Sequence, residues 1–122
     1  MKLVNCIEEV KEEKPNSFGE DKLTRYINEL EFMVQEYLGT ESEDMISYDW
    51  EKDGTVELIV PPPYDSMYKS WLKAKIDYAN EEYNGYANNQ AQFSSDYEEW
   101  QAYALRSNMV KSDMPTGIKN WW

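Results

Sequence analysis

A mainly α fold is predicted, built from amphipathic helices with a long C-terminal helix, a small β-hairpin near residues 45–60 and an extended C-terminal tail. Three observations predict it. Apolar residues recur at helical spacing over the first forty or so positions, alternate with polar ones after Met45, and form a heptad stripe beyond Leu72. With 122 residues the chain is one domain's worth and can bury a modest core. Its 41% hydrophobic and 15% aromatic content place it among folded rather than disordered chains, despite a negative mean hydropathy.

Leu3, Ile7 and Val10 fall at helical spacing with Glu8, Glu9, Glu12 and Glu13 between them, which predicts a short helix over residues 2–13 that Pro15 stops. Ser17-Phe18-Gly19-Glu20 has the form of a capping box. The helix that follows has a buried face of Leu23, Tyr26, Ile27, Leu30, Val34, Tyr37 and Leu38, and Gly39 is placed to end it in a left-handed conformation. Its polar side, including Glu29, Glu31 and Glu36, is expected to face solvent. Ile46, Tyr48 and Trp50 then alternate with Ser47, Asp49 and Glu51, and Val56, Leu58 and Val60 resume the alternation after Asp53-Gly54. This predicts a hairpin turned at Asp53-Gly54, which needs helices or a neighbouring subunit to cover it.

Pro61-Pro62-Pro63 ends any strand and presets the entry to a helix, with Asp65 suited to its first turn. From there Leu72, Ile76, Ala79, Tyr83, Tyr86, Gln90, Phe93, Tyr97, Trp100 and Ala104 follow one another in steps of four and three. The register predicts either one helix, about 60 Å long, or two helices broken near residues 84 to 89. A seam that long and aromatic must lie against other helices or other copies of the chain. Tyr83, Tyr86, Phe93, Tyr97 and Trp100 are therefore candidates for a subunit interface or a core seam. Beyond Leu105 the heptad lapses. Met109, Val110, Met114, Ile118, Trp121 and Trp122 are scattered apolar anchors that either fold back on the core or dock on a partner.

Charge is uneven. Residues 1–60 hold 16 acids against 6 bases, and residues 61–122 hold 8 against 6. A net charge of -12 argues against nonspecific nucleic-acid binding by the body of the protein. The lone Cys6 permits no internal disulfide, and its setting in an amphipathic helix predicts a small buried residue. No apolar run approaches the ~18 residues of a membrane span, and the first residues lack a signal-peptide core, so a soluble protein made in the cytoplasm is expected. Without histidine there is no imidazole base, Ser-His-Asp triad or His-ligated metal. No phosphate loop or Cys-x-x-Cys pair occurs. Adjacent acids such as Glu81-Glu82 and Glu98-Glu99 point about 100° apart on a helix and are expected to face water. No enzyme, cofactor or metal site is predicted.

Two blocks carry a resemblance. The first is Lys14-Pro15-Asn16-Ser17-Phe18 with Lys22-Leu23 and Leu30-Glu31. The second is Glu57-Leu58-Ile59-Val60-Pro61, Pro63-Tyr64-Asp65 and Tyr68, then Ile76-Asp77-Tyr78-Ala79-Asn80, Tyr86, Asn88, Phe93, Tyr97 and Arg106. Together they resemble the head-tail connector, or adaptor, proteins encoded in the morphogenesis modules of tailed phages and prophages of Gram-positive bacteria. The chain departs from that pattern at Gly85, where a basic residue is expected, at Tyr26, where tryptophan is usual, and at Ser107-Asn108-Met109-Val110, which replaces Thr-His-Met-Pro.

The resemblance implies a helical connector-like domain over residues 1–106 and a docking tail over 107–122. It implies a structural virion protein at the head-tail junction, assembled in the host cytoplasm as a homo-oligomeric ring, twelvefold, beneath the portal. Partners would be the portal protein and a neck or stopper protein, with DNA only as cargo in the channel and no membrane. On this reading Met109, Val110, Met114, Ile118, Trp121 and Trp122 dock on the portal, while Glu8, Glu9, Glu41, Glu43 and Asp44 are candidate channel-facing acids. The alternatives are an acidic DNA-mimic inhibitor of a host nucleic-acid enzyme, which small size and net charge suit, and another neck component such as a stopper or tail-completion protein.

Overall fold

The computed structural model describes residues 1–110. Helix α1, Leu3–Glu13, turns Leu3, Cys6, Ile7 and Val10 inward. Helix α2, Glu20–Leu38, buries Leu23, Ile27, Leu30 and Val34, with Tyr26, Tyr37 and Leu38 half-buried at the margins of the same stripe. Gly39 ends α2 at φ 84°, and Thr40 donates back to the Gln35 carbonyl at 2.9 Å, the left-handed stop that glycine makes cheaply. At the other end the expected capping box does not form. The Asn16 side chain instead accepts from the Phe18 N–H at 3.0 Å in an Asx turn, and Gly19 is the cap residue.

The expected β-hairpin is absent. Residues 45–48 are extended, but two side-chain amides on α2 supply what a paired strand would. The Gln35 amide donates to the Ile46 carbonyl at 2.9 Å and accepts from its N–H at 2.8 Å; Asn28 does the same for Tyr48 at 3.0 and 2.8 Å. Residues 28 and 35 are two helical turns apart, 46 and 48 one strand repeat apart, so the period of two is real while the ladder is a helix face. Trp50–Asp53 is a single turn, α3, in which Asp49 accepts from the Glu51 N–H at 2.9 Å. Asp53-Gly54 leads into residues 56–58, which pair with the start of the chain: Leu3 donates to the Val56 carbonyl at 3.1 Å and Leu58 to the Met1 carbonyl at 2.9 Å.

Helix α4, Ser66–Ala79, is the centre of the molecule and packs on α1, α2 and the last helix, α5, Tyr83–Arg106. Its three faces have different chemistry. Tyr68, Trp71 and Lys75 meet α2: the Trp71 indole donates to the Tyr26 carbonyl at 2.7 Å, and Lys75 lies 4.5 Å above the Trp71 ring and 3.4 Å from Glu29. Lys69 and Lys73 reach Glu13 on α1 at 2.8 and 2.6 Å, and these two hydrogen bonds hold the Glu13 carboxyl down to about 2. Ser70 and Asp77 meet α5 through Asp96 at 3.5 Å and Asn89 at 2.8 Å.

The long aromatic helix is therefore broken, at residues 80–82 rather than at 84–89. Asn84-Gly85 falls inside the first turn of α5, whereas Glu81 adopts φ 60° and the Asp77 carbonyl accepts from the Glu82 N–H at 2.8 Å. The chain doubles back as an antiparallel hairpin in which residues 64, 70 and 77 meet 103, 96 and 89. Much of the heptad seam thus finds its partner within the molecule. Leu72 and Ile76 on α4 and Phe93, Trp100 and Ala104 on α5 are all interior. No helix among the described residues is long and apolar enough to cross a membrane.

Candidate functional site

Two buried polar nodes organise the described residues. The first centres on Glu31, which the sequence pattern assigns to solvent and the structure buries completely. Its carboxylate accepts from the Tyr48 and Tyr68 hydroxyls, each at 2.5 Å, and from the Ile59 N–H at 3.0 Å. The Tyr68 oxygen in turn accepts from the Val60 N–H at 3.0 Å. One side chain thereby ties α2 to the 48 segment, to the 59–60 segment and to α4. Burial lifts the Glu31 carboxyl above its ordinary value, against the pull of the three donors, and burial beside that carboxylate pushes both tyrosine hydroxyls up. A signal for this was present. Position 31 lies four residues after Ile27 and three before Val34, inside the apolar stripe.

The second node centres on Asp77, also wholly buried. Lys14 Nζ lies 2.7 Å from Oδ1 as an ion pair, and Asn89 Nδ2 donates to Oδ2 at 2.8 Å. The node joins the end of α1, α4 and α5. It also accounts for Gly85, because a Cβ built there would fall 2.5 Å from Asp77 Oδ2. The cation beside Asp77 is Lys14, from the other end of the sequence, and no side chain at position 85 has room to supply one. Gly85→Ala gains roughly 1 kcal/mol of helix propensity but pushes into a carboxylate held on both sides. We expect a net loss of roughly 1–2 kcal/mol, read by urea denaturation; an unchanged or raised midpoint would show that the carboxylate can move aside.

The sequence-predicted residues do not form one site, although Phe93, Tyr97 and Trp100 stay in ring-to-ring contact on α5. Of the seam candidates, Phe93 and Trp100 are 4% and 0% exposed, Tyr97 and Tyr86 are half-buried, and Tyr83 is 59% exposed. Of the tail anchors, Met109 and Val110 are half-buried against the core, Met109 donating to the Ala104 carbonyl at 2.9 Å. Met114, Ile118, Trp121 and Trp122 lie outside the described residues. Glu8 is exposed on α1, Glu9 is half-buried with Lys69 3.4 Å away, and Glu41, Glu43 and Asp44 are exposed around a 3-10 turn after α2. The structure brings no shared contact between these two acidic groups.

Cys6 is buried, and burial pushes its thiol up to about 12, far from a nucleophile's range. Among the described residues no group of acids or cysteine is arranged to hold a metal ion. The Glu81-Glu82 and Glu98-Glu99 pairs face water. Exposed large apolar side chains include Phe32 and Met33 on α2 with Ile46 after it, each between 40% and 48% exposed, Tyr78 and Tyr83 at the tip of the α4–α5 hairpin, and Val56 and Leu105 singly. Exposed apolar surfaces of this kind are candidate contacts for a partner. No family model matches the chain, and no curated protein or solved structure matches it.

Proposed function

We propose that this chain is a structural head-tail connector protein of a tailed phage, an adaptor that assembles as a ring under the portal, extends the DNA channel and carries the neck and tail. One observation carries the reading. The residues that bear the resemblance are scattered over the sequence, yet they meet in space: Lys14 with Asp77, and Glu31 with Ile59 and Tyr68. That the likeness includes residues which hold the fold together supports a likeness of folds rather than of isolated motifs. The helical architecture and the exposed apolar side chains also suit a protein whose work is assembly.

In this role the acidic exterior keeps DNA from adhering while it passes, since carboxylates and phosphates repel. The tail, residues 107–122, addresses the portal through Met109, Val110, Met114, Ile118, Trp121 and Trp122. The test mixes the purified protein with a phage portal protein from the same source and examines the mixture by negative-stain microscopy, with virion proteins analysed in parallel by mass spectrometry. Added density in a ring on the portal and presence in virions are expected. Absence from both, with competition against DNA for a host nucleic-acid enzyme, would favour the DNA-mimic alternative. Truncation after Val110 is expected to weaken portal association; undiminished association would remove residues 111–122 from the docking role.

A further inference from the structure

We infer that the tip of the α4–α5 hairpin is a docking site for an arginine side chain presented by a protein partner. The inference is independent of the connector reading. Tyr78 and Tyr83 are 61% and 59% exposed at the tip, among the most exposed large apolar residues described. They are not splayed apart. The Tyr78 ring lies 6.4 Å from Tyr83, edge on, and 5.2 Å from Tyr86, so the three make one aromatic platform. Beside it is a shallow hollow of about 580 Å³ whose lining includes Glu81, Glu82 and Tyr83. The turn is held by the Glu81 N–H to the Tyr78 carbonyl at 3.1 Å and the Glu82 N–H to the Asp77 carbonyl at 2.8 Å. The backbone of residues 81 and 82 is therefore held beside the platform before anything binds, which keeps both carboxylates within reach of it.

Charge identifies the occupant. From Ile76 to Leu105 the chain contains no lysine or arginine. Lys14 is committed to Asp77 and Lys75 to Glu29 and Trp71, and Glu81 and Glu82 make no ion pair among the described residues. Tyrosine faces attract cations through the ring quadrupole, and a guanidinium can lie flat on such a ring while its edge donates to a carboxylate. An apolar partner would strand both glutamates, and an acidic one would be repelled. The combination of exposed rings and unpaired acids selects a cation with a planar, multi-donor head.

The test titrates isotopically labelled protein with a short peptide carrying two arginines between glycines, and with its citrulline and lysine counterparts, followed by two-dimensional NMR. Saturable shifts confined to residues 78–86, weaker for lysine and absent for the neutral citrulline, are expected. Tyr78→Ser with Tyr83→Ser, both at exposed positions, is expected to weaken the arginine peptide roughly tenfold. Glu81→Gln with Glu82→Gln is expected to do the same, while the equal charge change Glu98→Gln with Glu99→Gln leaves binding unaltered. Shifts spread over the acidic surface, or equal losses in the two glutamine pairs, would reduce the effect to net charge and overturn the site. Sedimentation of the free protein provides a separate check: self-association abolished by the tyrosine substitutions would mean that a second copy covers the tip, which also overturns it.

Discussion

Glu31→Ala is expected to lower folding stability by roughly 3–5 kcal/mol, the largest effect of any single substitution proposed for this protein. The lost carboxylate is not itself the main reason. Its removal leaves the Tyr48 hydroxyl and the Ile59 N–H without the acceptor they now share, and Tyr68 keeps only the bond in which its oxygen accepts from Val60. These groups are buried or half-buried, so water cannot easily replace the missing acceptor. Glu31→Gln retains an oxygen of the same reach and is expected to cost less, on the order of 1–2 kcal/mol. Urea denaturation of the three proteins checks both figures, and a loss below about 1 kcal/mol for the alanine variant would show that the clasp is dispensable.

The same carboxyl has a pH signature whose sign follows from its environment. Burial raises the folded-state value above the ordinary 4.5, so the folded protein takes up this proton more readily than the unfolded chain. The corresponding contribution to stability is complete below the unfolded value and is lost as pH rises through the folded one. Wild type compared with Glu31→Gln should therefore lose stability between those two values on going upward in pH. Glu13 on the α1–α4 contact acts in the opposite sense. Its folded value is lowered, so its contribution is present above 4.5 and is lost as pH falls toward about 2. A difference curve between wild type and Glu31→Gln that rises with pH would contradict the assignment.

Lys14→Met is expected to cost roughly 2–4 kcal/mol. Methionine keeps much of the packing length of the lysine stem and removes the charge, which leaves Asp77 fully buried with only the Asn89 amide as a partner. Adding Asp77→Asn to Lys14→Met should recover part of that loss. Asparagine keeps an oxygen for Asn89 and carries no charge to strand. Chemical denaturation of the four proteins of this cycle gives the coupling between positions 14 and 77. A coupling near zero would mean that the 2.7 Å approach is a contact without energetic weight.

The helices were legible because their evidence is local. The spacing of Leu3, Ile7 and Val10, the stripe from Leu23 to Leu38, and Gly39 at its end each depend only on neighbours within a few turns, and the structure reproduces them. The hairpin was misread for a related reason. Alternation from Ile46 to Trp50 reports an extended chain correctly, but it does not say what accepts its hydrogen bonds, and Asn28 and Gln35 could not be recognised as that partner without the packing of α2. The break in the aromatic helix moved from the Asn84-Gly85 region to Glu81 because Gly85 is used for space beside Asp77 rather than for chain reversal.

The candidate surface was less legible than the fold. The heptad marked Tyr83, Tyr86, Phe93, Tyr97 and Trp100 as one seam; on α5 Phe93, Tyr97 and Trp100 stay ring to ring against the core, while Tyr83 at the tip is left in water. Sequence periodicity assigns a residue to a helix face but not to a depth, since depth depends on which other helix arrives there.

By itself the sequence determined where helices form, that no imidazole chemistry is available, and that the chain carries a strong negative charge, because composition and spacing are properties of the chain whatever its shape. Only the tertiary structure decided that Glu31 and Asp77 are interior, that the long seam closes largely on itself, and that the tyrosines at the hairpin tip remain open. The physical reason is desolvation. Whether a carboxylate or an aromatic ring is buried, paired or exposed is set by groups distant in sequence that packing alone brings within a few ångströms.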